Sequence, residues 1–276
     1  MIIERDEIME NMIGKIIGTG GTSSVYEWGN DEVIKIFKPN VPIEVIKNEQ
    51  HVGKMLNDLS LCTPKYIKTI EFDNKLAIIY ERAYGRTLAE ILIETTDKSE
   101  MAASFAKIHY EIHQCYMDEL PSQQEMYSWK ISKMSSYFKK EVKKMEDLFE
   151  SLPIENKLCH GDFHPLNILV DCDKYITLDW NGICSGSPLL DVAWSYLTLN
   201  SPSIELMYGQ AMAKVVTEFS KDYLKYYCSY SNVDKYDVLK YLPLVAVRRL
   251  YDNISCETDM PKYENDWLKD IISNNK

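Results

Sequence analysis

The sequence predicts an α+β protein with two lobes, a β-rich N-terminal lobe over residues 1–82 and a mainly helical C-terminal lobe over residues 83–276. Two observations predict this division. Short β-like runs separated by turn signals dominate about the first 80 residues, and helical periodicity dominates after Gly85. A chain of 276 residues is long enough for two medium-sized units. We therefore expect a junction near residues 81–85 and a cleft between the lobes.

The β-rich part begins at residues 13–38, where two β-like runs flank a Gly-rich turn and a Gly-Asn-Asp turn leads into a third run. Residues 43–57 have helical spacing, and a Thr-Pro pair ends that pattern. Two further strands are predicted at residues 66–72 and 75–80. In the second part, a short β-like region is predicted at 166–179 and helices at 87–95, 97–117, 123–150, 203–229, 234–255 and 261–274.

The charge balance argues against one class of function. The chain has 31 basic and 42 acidic residues, a formal net charge of −11, whereas a general nucleic-acid binder shows a basic face. An acidic surface is compatible with a cationic small-molecule ligand, because it raises the local concentration of cations. The charge alone favours a simpler explanation, which is solubility.

The seven cysteines are odd in number, scattered and without a Cys-x-x-Cys pair, so we expect neither a disulfide framework nor a thiolate zinc site. The first residues, MIIERDEIMENMIGK, lack the apolar segment of a secretory signal. No apolar run approaches the roughly 18 residues of a membrane span. We therefore expect a cytoplasmic protein without membrane contact, and no obligate protein partner is evident.

A Gly-rich segment, GTGGTSSV, lies between two predicted strands. A Rossmann fingerprint needs a helix behind its glycines and a P-loop needs Gly-Lys-Ser/Thr, so neither motif is indicated. Glycines in a hairpin instead let backbone N–H groups approach a phosphate closely. The candidate phosphate-binding residues are Gly18, Gly20, Gly21 and Ser23. A plain hairpin turn remains the alternative.

The next predicted strand carries a lysine among apolar neighbours. Alternation places Val33, Lys35 and Phe37 on one face, where an unpaired ammonium group is costly. Glu49 on the following predicted helix is the candidate partner of Lys35, with Glu44 as the second choice. The alternative is an edge-strand lysine whose ammonium group reaches water.

The stretch LCHGDFHPLNILV places His160, Asp162 and His164 at alternate positions ahead of Asn167. Such a group suits a transition metal, whereas Asp and Asn five positions apart recur in kinases. Asp179 follows Asn167 by twelve residues, at the end of a predicted strand. A Gly-rich hairpin, a strand lysine, a helix glutamate, Asp-x-x-x-x-Asn and a strand-end aspartate therefore occur in the order in which kinases carry them.

These residues resemble the family of aminoglycoside phosphotransferases and choline kinases, small-molecule kinases that share the protein-kinase fold. The resemblance extends over residues 14–200 and is most specific in HGDFHPLN, residues 160–167. It continues through ITLDW at 176–180 and GSPLLDVA at 186–193. The stretch YERAYGRTL, residues 80–88, resembles the family's hinge.

The resemblance implies a bilobal protein-kinase-like fold, ATP or GTP as the phosphate donor and Mg²⁺ as the cofactor. Asp162 would accept or orient the proton of the acceptor hydroxyl. Asn167 and Asp179 would hold Mg²⁺, since oxygen ligands suit that ion. Lys35, aligned by Glu49, would contact the α- and β-phosphates.

The hinge implies a site for the nucleotide base, held by the carbonyl of Glu81 and the amide of Ala83. Tyr80 would occupy the gatekeeper position, and its bulk leaves GTP open as the donor. His160 would brace the loop and Asp191 would anchor it from below, while His164 has no assigned role.

Two departures from the protein-kinase pattern stand out, Ser23 in place of the third glycine and Trp180-Asn181 in place of Phe-Gly. Only eleven residues separate Asp179 from Asp191, too few for a long activation segment, which favours a small-molecule acceptor over a protein. We favour a cationic acceptor of the aminoglycoside type, which would make the protein an antibiotic-resistance enzyme. Choline, homoserine, a sugar and a macrolide are the alternative acceptors.

Two alternatives from other classes stay open, a catalytically silent nucleotide-binding regulator and a metal-dependent hydrolase built on histidines. His109 and His113 lie i, i+4 on one predicted helix face, a spacing that can bind metal but is more often structural. Acidic residues near the C-terminus could line the site of a cationic acceptor or form a solvated helix face. These are Glu257, Asp259, Glu264, Asp266 and Asp270.

Overall fold

The computed structural model describes residues 12–73, 75–95, 97–255 and 262–274. The chain divides into two compact units. Unit 1 contains the described residues up to Thr87 together with Ile168–Trp180, and unit 2 contains Leu88–Asn167 and the described residues from Asn181 onward. The first eleven residues, Cys256, Glu257 and Asp259 lie outside the described part.

Unit 1 is built on a five-stranded antiparallel sheet with the strand order β1-β2-β3-β5-β4. Helix α1 (Ile43–Asn57) follows the third strand. The strands are β1 (Ile13–Thr19), β2 (Ser23–Trp28), β3 (Glu32–Phe37), β4 (Tyr66–Phe72) and β5 (Lys75–Glu81). These elements confirm the strands and the helix that the sequence predicts for this region.

Alternation along β3 sorts its side chains onto the two faces of the sheet. Ile34 packs with Trp28 in the core cluster of one face, whereas Phe37 packs with Ile46 of α1 on the other. The Nζ atom of Lys35 lies 5.6 Å from the centroid of the Phe37 ring. Lys35 therefore shares the face of Phe37, as the strand period predicts.

A second, three-stranded sheet in unit 1 has the order β6-β8-β9. It consists of β6 (Arg86–Thr87), β8 (Ile168–Asp171) and β9 (Lys174–Thr177), paired antiparallel. Gly85, directly before β6, has φ of +128°, and a Cβ atom there would lie 2.5 Å from the carbonyl oxygen of Val170. Only glycine lets the backbone pass β8 this closely. Strands β8 and β9 lie within the β-like region predicted at residues 166–179.

Unit 2 is mainly helical. Two short strands, β7 (Lys157–Cys159) and β10 (Cys184–Gly186), pair antiparallel. The helix Lys98–Ile112 packs on the helix Gln210–Ser231, and Leu242–Ser255 packs on Lys262–Asn274. The helices are α2 (Leu88–Glu94), α3 (Lys98–Ile112), α4 (Gln123–Met134), α5 (Val142–Glu150), α6 (Pro188–Leu199), α7 (Ser203–Tyr208), α8 (Gln210–Ser231), α9 (Lys235–Leu239), α10 (Leu242–Ser255) and α11 (Lys262–Asn274).

Three helices predicted as continuous are each divided in two. The chain leaves helical conformation between α4 and α5, between α7 and α8, and between α9 and α10. Gly209 separates α7 from α8 with φ of +83°, a conformation that glycine adopts without strain and that ends a helix. Helix α6 and the β7–β10 pair are missed by the sequence patterns. Most side chains of α6 are buried, so it shows no amphipathic stripe.

Among the described residues, no helix combines the length and the apolar composition that crossing a membrane requires. Six of the seven cysteines lie in the described part of the chain, and all six are free thiols.

Candidate active site

The HGDFHPLN stretch forms the loop that follows β7 in unit 2. Gly161 has φ of +77°, and a Cβ atom at this position would clash with the carbonyl oxygen of Gly182. Glycine is therefore required by both the backbone conformation and the space available. Asp162 therefore directly follows a residue whose backbone conformation is restricted.

Asp191 of α6 anchors this loop. Its carboxylate accepts hydrogen bonds from the N–H groups of His160 and Gly161, at 2.6 and 2.9 Å. Burial raises the pKa of Asp191, but hydrogen bonds from His109 and His113 outweigh it and hold the pKa well below its usual range. The anchoring that the resemblance implies for Asp191 is therefore present as backbone hydrogen bonds that an ionised carboxylate accepts.

The two histidines of α3 complete the surroundings of Asp191. The Nε2 atoms of His109 and His113 lie 3.1 and 3.2 Å from its Oδ2 atom. Their Nδ1 atoms each lie 2.7 Å from a hydroxyl of α8, that of Tyr223 and that of Tyr227 respectively. Burial lowers the pKa of His109 to about 3, so this ring is neutral. A neutral His109 donates to the carboxylate through Nε2–H and accepts from the Tyr223 hydroxyl at Nδ1.

One arrangement of ligand-type atoms resembles a metal site. Atoms of His109, His113 and Asp191 lie within 4.8 Å of one another. Each of them already takes part in hydrogen bonds inside the protein, so the network is complete as a set of hydrogen bonds. Elsewhere in the described chain no such group forms, and His160 instead accepts the N–H of Asp162 at Nδ1, at 3.2 Å.

The two carboxylate oxygens of Asp162 have different partners. Oδ1 accepts the indole N–H of Trp194 at 3.1 Å, and Oδ2 lies 3.4 Å from Nε2 of His164. Burial would raise the pKa of Asp162, but the hydrogen bonds from His164 and Trp194 outweigh it and lower the pKa below its usual range. The side chain keeps 40% of its surface exposed. Asp162 is therefore an ionised, reachable carboxylate that can accept a proton or orient a hydroxyl group.

Asn167 lies beside Asp162, at the end of a short 3₁₀ segment, and its side chain is almost fully buried. Its Nδ2 atom donates to the carbonyl oxygen of Asp162 at 3.0 Å and lies 3.3 Å from Nε2 of His164. Because the nitrogen is held in this way, Oδ1 is the atom that Asn167 can offer to a ligand. An amide oxygen suits a hard cation such as Mg²⁺.

Unit 1 contains the predicted ion pair. Nζ of Lys35 lies 2.6 Å from Oε1 of Glu49, with both side chains largely buried. Glu49 is therefore the partner of Lys35, and Glu44 is not needed in that role. The same Oε1 atom accepts the hydroxyl of Tyr80 from β5, at 3.1 Å. Burial and the neighbouring Glu49 raise the pKa of Tyr80, so the hydroxyl stays protonated and acts as the donor.

The Gly-rich turn joins β1 to β2. It is closed by the N–H of Gly20, which donates to the carbonyl of Ser23 at 2.9 Å. A Cβ atom at Gly18 would make only ordinary contact with Val25, at 3.8 Å, and one at Gly21 would meet no atom within 4 Å. The fold itself therefore has room for a side chain at Gly21.

The remaining predicted site residues also lie in unit 1. Glu81 ends β5 with its N–H donating to the carbonyl of Lys65 at 2.9 Å, and Ala83 follows the strand. Asp179 follows β9 and has φ of +58°, a conformation that is uncommon outside glycine and costs energy. The adjacent Trp180 is fixed by its indole N–H, which donates to Oγ1 of Thr63 at 3.0 Å.

Two residues near Asp162 were not found by reasoning from the sequence. Trp194 directly follows the last stretch of the family resemblance, so its position in the chain was the only signal. Arg248 of α10 donates to the carbonyl of Gly161 at 2.7 Å, from 87 positions further along the chain. Its guanidinium carbon lies 3.7 Å from the centroid of the Trp194 ring. No local pattern marks Arg248.

The acidic C-terminal segment does not form a single surface. Glu264 of α11 is fully buried and accepts hydrogen bonds from Ser201 at 2.7 Å and Asn253 at 2.9 Å. Asp266 and Asp270 are exposed. Glu264 is therefore a core residue. It neither lines an acceptor site nor belongs to a solvated helix face, the two roles that the sequence predicts for this segment.

The fold and these two sets of residues define a class. A β-rich unit carries a buried lysine–glutamate ion pair, and a helical unit carries an aspartate and an asparagine on one anchored loop. These are the residues that a kinase-like small-molecule phosphotransferase uses. A model of the family described as "Phosphotransferase enzyme family" matches residues 14–240. The chain belongs to this family, which confirms the resemblance and the protein-kinase-like α+β fold.

Solved structures of the same fold cover nearly the whole chain. The streptomycin-ATP-APH(2'')-IIa complex is 16% identical, covers 96% of this chain and 95% of that one, and has a TM-score of 0.65. The ADP-bound aminoglycoside phosphotransferase APH(2'')-Ib is 14% identical, with 98% and 96% covered and a TM-score of 0.63. Choline kinase from Cryptosporidium parvum Iowa II is 16% identical, with 98% and 92% covered and a TM-score of 0.62. No curated protein sequence matches the chain.

Proposed function

We propose that this phosphotransferase moves the γ-phosphate of ATP or GTP to a hydroxyl group of a small cationic molecule. The observation that carries the proposal is the loop that holds both Asp162 and Asn167, with the Asn167 side-chain amide donating to the backbone carbonyl of Asp162 at 3.0 Å. Phosphoryl transfer needs a group that positions the acceptor hydroxyl and oxygen ligands that hold a cation at the phosphates. This loop provides one of each.

Asp162 is assigned to the acceptor hydroxyl. Its carboxylate is ionised because the hydrogen bonds from His164 and Trp194 lower its pKa, and it is accessible. Such a group accepts the hydroxyl proton or orients the hydroxyl oxygen toward the phosphorus atom. His164 contacts the carboxylate through Nε2, so we assign it a role in holding Asp162.

Asn167 and Asp179 are assigned to Mg²⁺. Each side chain offers an oxygen of the kind that this ion prefers: the Asn167 amide oxygen, since the amide nitrogen donates to the carbonyl of Asp162, and the Asp179 carboxylate. When bound, Mg²⁺ neutralises charge on the phosphate groups of the nucleotide. The strained backbone of Asp179, with φ of +58°, supports a functional role for this residue, since such strain persists chiefly at functional sites.

The nucleotide is assigned to unit 1. Lys35, held by Glu49, provides a fixed cation for the α- and β-phosphates. Glycines that the fold itself does not require, such as Gly21, support a close approach of phosphate to the turn that includes Gly18, Gly20 and Ser23. The carbonyl of Glu81 and the amide of Ala83 are assigned to the base. ATP is favoured by the likeness to an ATP-bound structure, and GTP is the alternative.

An aminoglycoside-type acceptor is favoured by the net charge of −11 and by the likeness to an enzyme complexed with streptomycin. The similar likeness to a choline kinase keeps a quaternary amino alcohol as the second acceptor class. Both are cationic. Homoserine, a sugar and a macrolide, like a cytoplasmic location, stay predictions.

A coupled assay of nucleotide consumption tests the proposal. Purified protein with Mg²⁺ receives ATP or GTP and, in turn, aminoglycosides, amino alcohols, sugars and macrolides. We expect one cationic class to stimulate consumption, and Asp162→Asn to lower kcat by ~10²–10⁴ with an unchanged unfolding transition. Asp266→Asn, an exposed aspartate paired with Lys269, is the control and keeps full activity. Nucleotide binding without transfer to any acceptor would identify a silent regulator instead.

A further inference from the structure

We infer that Trp194 and Arg248 are positioning residues that set the orientation of the Asp162 carboxylate. This inference rests on the role proposed for Asp162 in phosphoryl transfer. The three residues come from the loop after β7, from α6 and from α10, and they form one connected group within unit 2.

Trp194 fixes one of the two carboxylate oxygens of Asp162. The indole has a single N–H, which lies in the plane of the ring and can only donate. The Trp194 ring is buried, with 4% exposed, so packing fixes the direction in which this N–H points. Because it donates to Oδ1 of Asp162 at 3.1 Å, the carboxylate cannot rotate freely. Oδ2, which lies 3.4 Å from Nε2 of His164, is then the oxygen that we assign to the acceptor hydroxyl.

Arg248 holds the ring and the loop at the same time. Its guanidinium group lies over the Trp194 ring, 3.7 Å from the centroid, while one of its nitrogens donates to the carbonyl of Gly161 at 2.7 Å. A planar guanidinium can make both contacts, whereas the compact ammonium group of lysine cannot. The side chain is 10% exposed, so both contacts are sheltered from water.

Gly161 is therefore held by hydrogen bonds at both its N–H and its carbonyl. The N–H of Gly161 donates to Asp191, and its carbonyl accepts from Arg248. Neither peptide group next to Gly161 can turn without breaking a buried hydrogen bond. Asp162 is the next residue, so its backbone position is fixed by Asp191 and Arg248, and its side chain is fixed by Trp194.

A purely structural role for the two residues makes a different prediction. If Trp194 and Arg248 only filled space, their conservative variants would change the free energy of unfolding and leave turnover per folded molecule unchanged. If they position Asp162, conservative variants lower kcat and leave the KM for the nucleotide unchanged, because neither residue is among those assigned to the nucleotide.

The indole N–H resonance of Trp194 provides a test that needs no enzymatic activity. The chain has five tryptophans, so ¹⁵N-tryptophan labelling yields five indole signals, and the signal lost in Trp194→Phe belongs to Trp194. A hydrogen bond to a carboxylate shifts that signal downfield. We expect Asp162→Asn and Arg248→Lys each to move it upfield, and Arg249→Lys to leave it in place. Arg249 is the matched control because it follows Arg248 on α10 but pairs with Glu264 of α11.

Kinetics then test the consequence for turnover. Trp194→Phe keeps a ring beneath Arg248 but removes the N–H, so kcat should fall about tenfold, the value of one hydrogen bond to a charged group, with the nucleotide KM unchanged. Trp129→Phe, at an exposed tryptophan of α4, is the control and should have no effect.

The two readouts separate the two ideas. An indole signal that does not respond to Asp162→Asn, or a Trp194→Phe enzyme with full kcat, would overturn the positioning role. A protein that shows the expected indole shifts but transfers phosphate to nothing would refute the proposed function while supporting the contact geometry.

Discussion

The hydroxyl of Tyr80 donates to Oε1 of Glu49 at 3.1 Å. The same oxygen pairs with Nζ of Lys35 at 2.6 Å, so one carboxylate oxygen receives a neutral donor from β5 and a cation from β3. The glutamate on α1 is thereby held by two strands of the sheet. Lys35 is fixed in turn, because Glu49 cannot move without giving up the bond to Tyr80.

Replacing Tyr80 with phenylalanine removes one donor from this charged oxygen and leaves the ring in place. We expect the free energy of unfolding to fall by about 1.5 kcal/mol, the lower end for a hydrogen bond to a charged group. Urea denaturation measures it. Tyr66→Phe is the matched control, since the Tyr66 hydroxyl hydrogen-bonds the neutral side chains of Gln50 and Thr69; its loss should be smaller. Equal losses in the two variants would show that the charge on Glu49 adds nothing.

Two glycines should respond in opposite ways to the same substitution. Gly161→Ala forces a Cβ atom against the carbonyl of Gly182 at a positive φ, so we expect a loss of at least about 2 kcal/mol of stability. Gly21→Ala meets no atom within 4 Å, so stability should change little while affinity for the Mg²⁺-nucleotide falls. Thermal unfolding and nucleotide titration check the pair. A Gly21→Ala protein with unchanged nucleotide affinity would remove the turn from the proposed binding site.

Stability should fall as the pH drops below neutrality, and His109 should account for part of the loss. Its pKa is lowered to about 3 in the folded protein by burial, whereas an unfolded histidine titrates near 6.5. Between these values only the unfolded chain binds the proton, so acidification favours unfolding. Asp191, with its lowered pKa, adds its own loss only below about pH 4.

His109→Gln removes the ring that binds a proton in the unfolded chain, while the glutamine side chain keeps an N–H that can donate to Asp191. The decrease in the free energy of unfolding between pH 7 and pH 5 should therefore be about 2 kcal/mol smaller in His109→Gln than in the original chain. Urea denaturation at the two pH values measures the difference. An identical pH dependence in both proteins would mean that His109 is not buried as a neutral ring.

Two acidic residues on α11 should differ sharply. Glu264→Ala removes a buried carboxylate and leaves its donors Ser201 and Asn253 without their acceptor, so we expect a loss of about 2–4 kcal/mol. Asp266→Ala, at an exposed position of the same helix, should change stability by less than about 0.5 kcal/mol. Chemical denaturation of both variants measures the two losses of stability. A harmless Glu264→Ala would revive the idea that this segment serves an acceptor.

The sequence was most informative where a pattern is local. The strand period placed Lys35 and Phe37 on one face, and the turn residues divided β1 to β3 correctly, because alternation and turn chemistry act over a few residues. The HGDFHPLN stretch brought Asp162 and Asn167 together for the same reason. Long helices were less reliable, since periodicity continues across a break such as Gly209 that depends on one backbone conformation.

The sequence by itself determined the α+β fold, the family and the lysine, aspartate and asparagine that the proposed chemistry uses. Only the tertiary structure decided what holds these residues in place. Asp191 and Arg248 hydrogen-bond the same loop from two helices, and His109 hydrogen-bonds Asp191 from a third. Hydrogen bonds between such distant positions leave no period or spacing in the chain. The support of Asp162 therefore comes from packing, whereas its identity comes from a local motif.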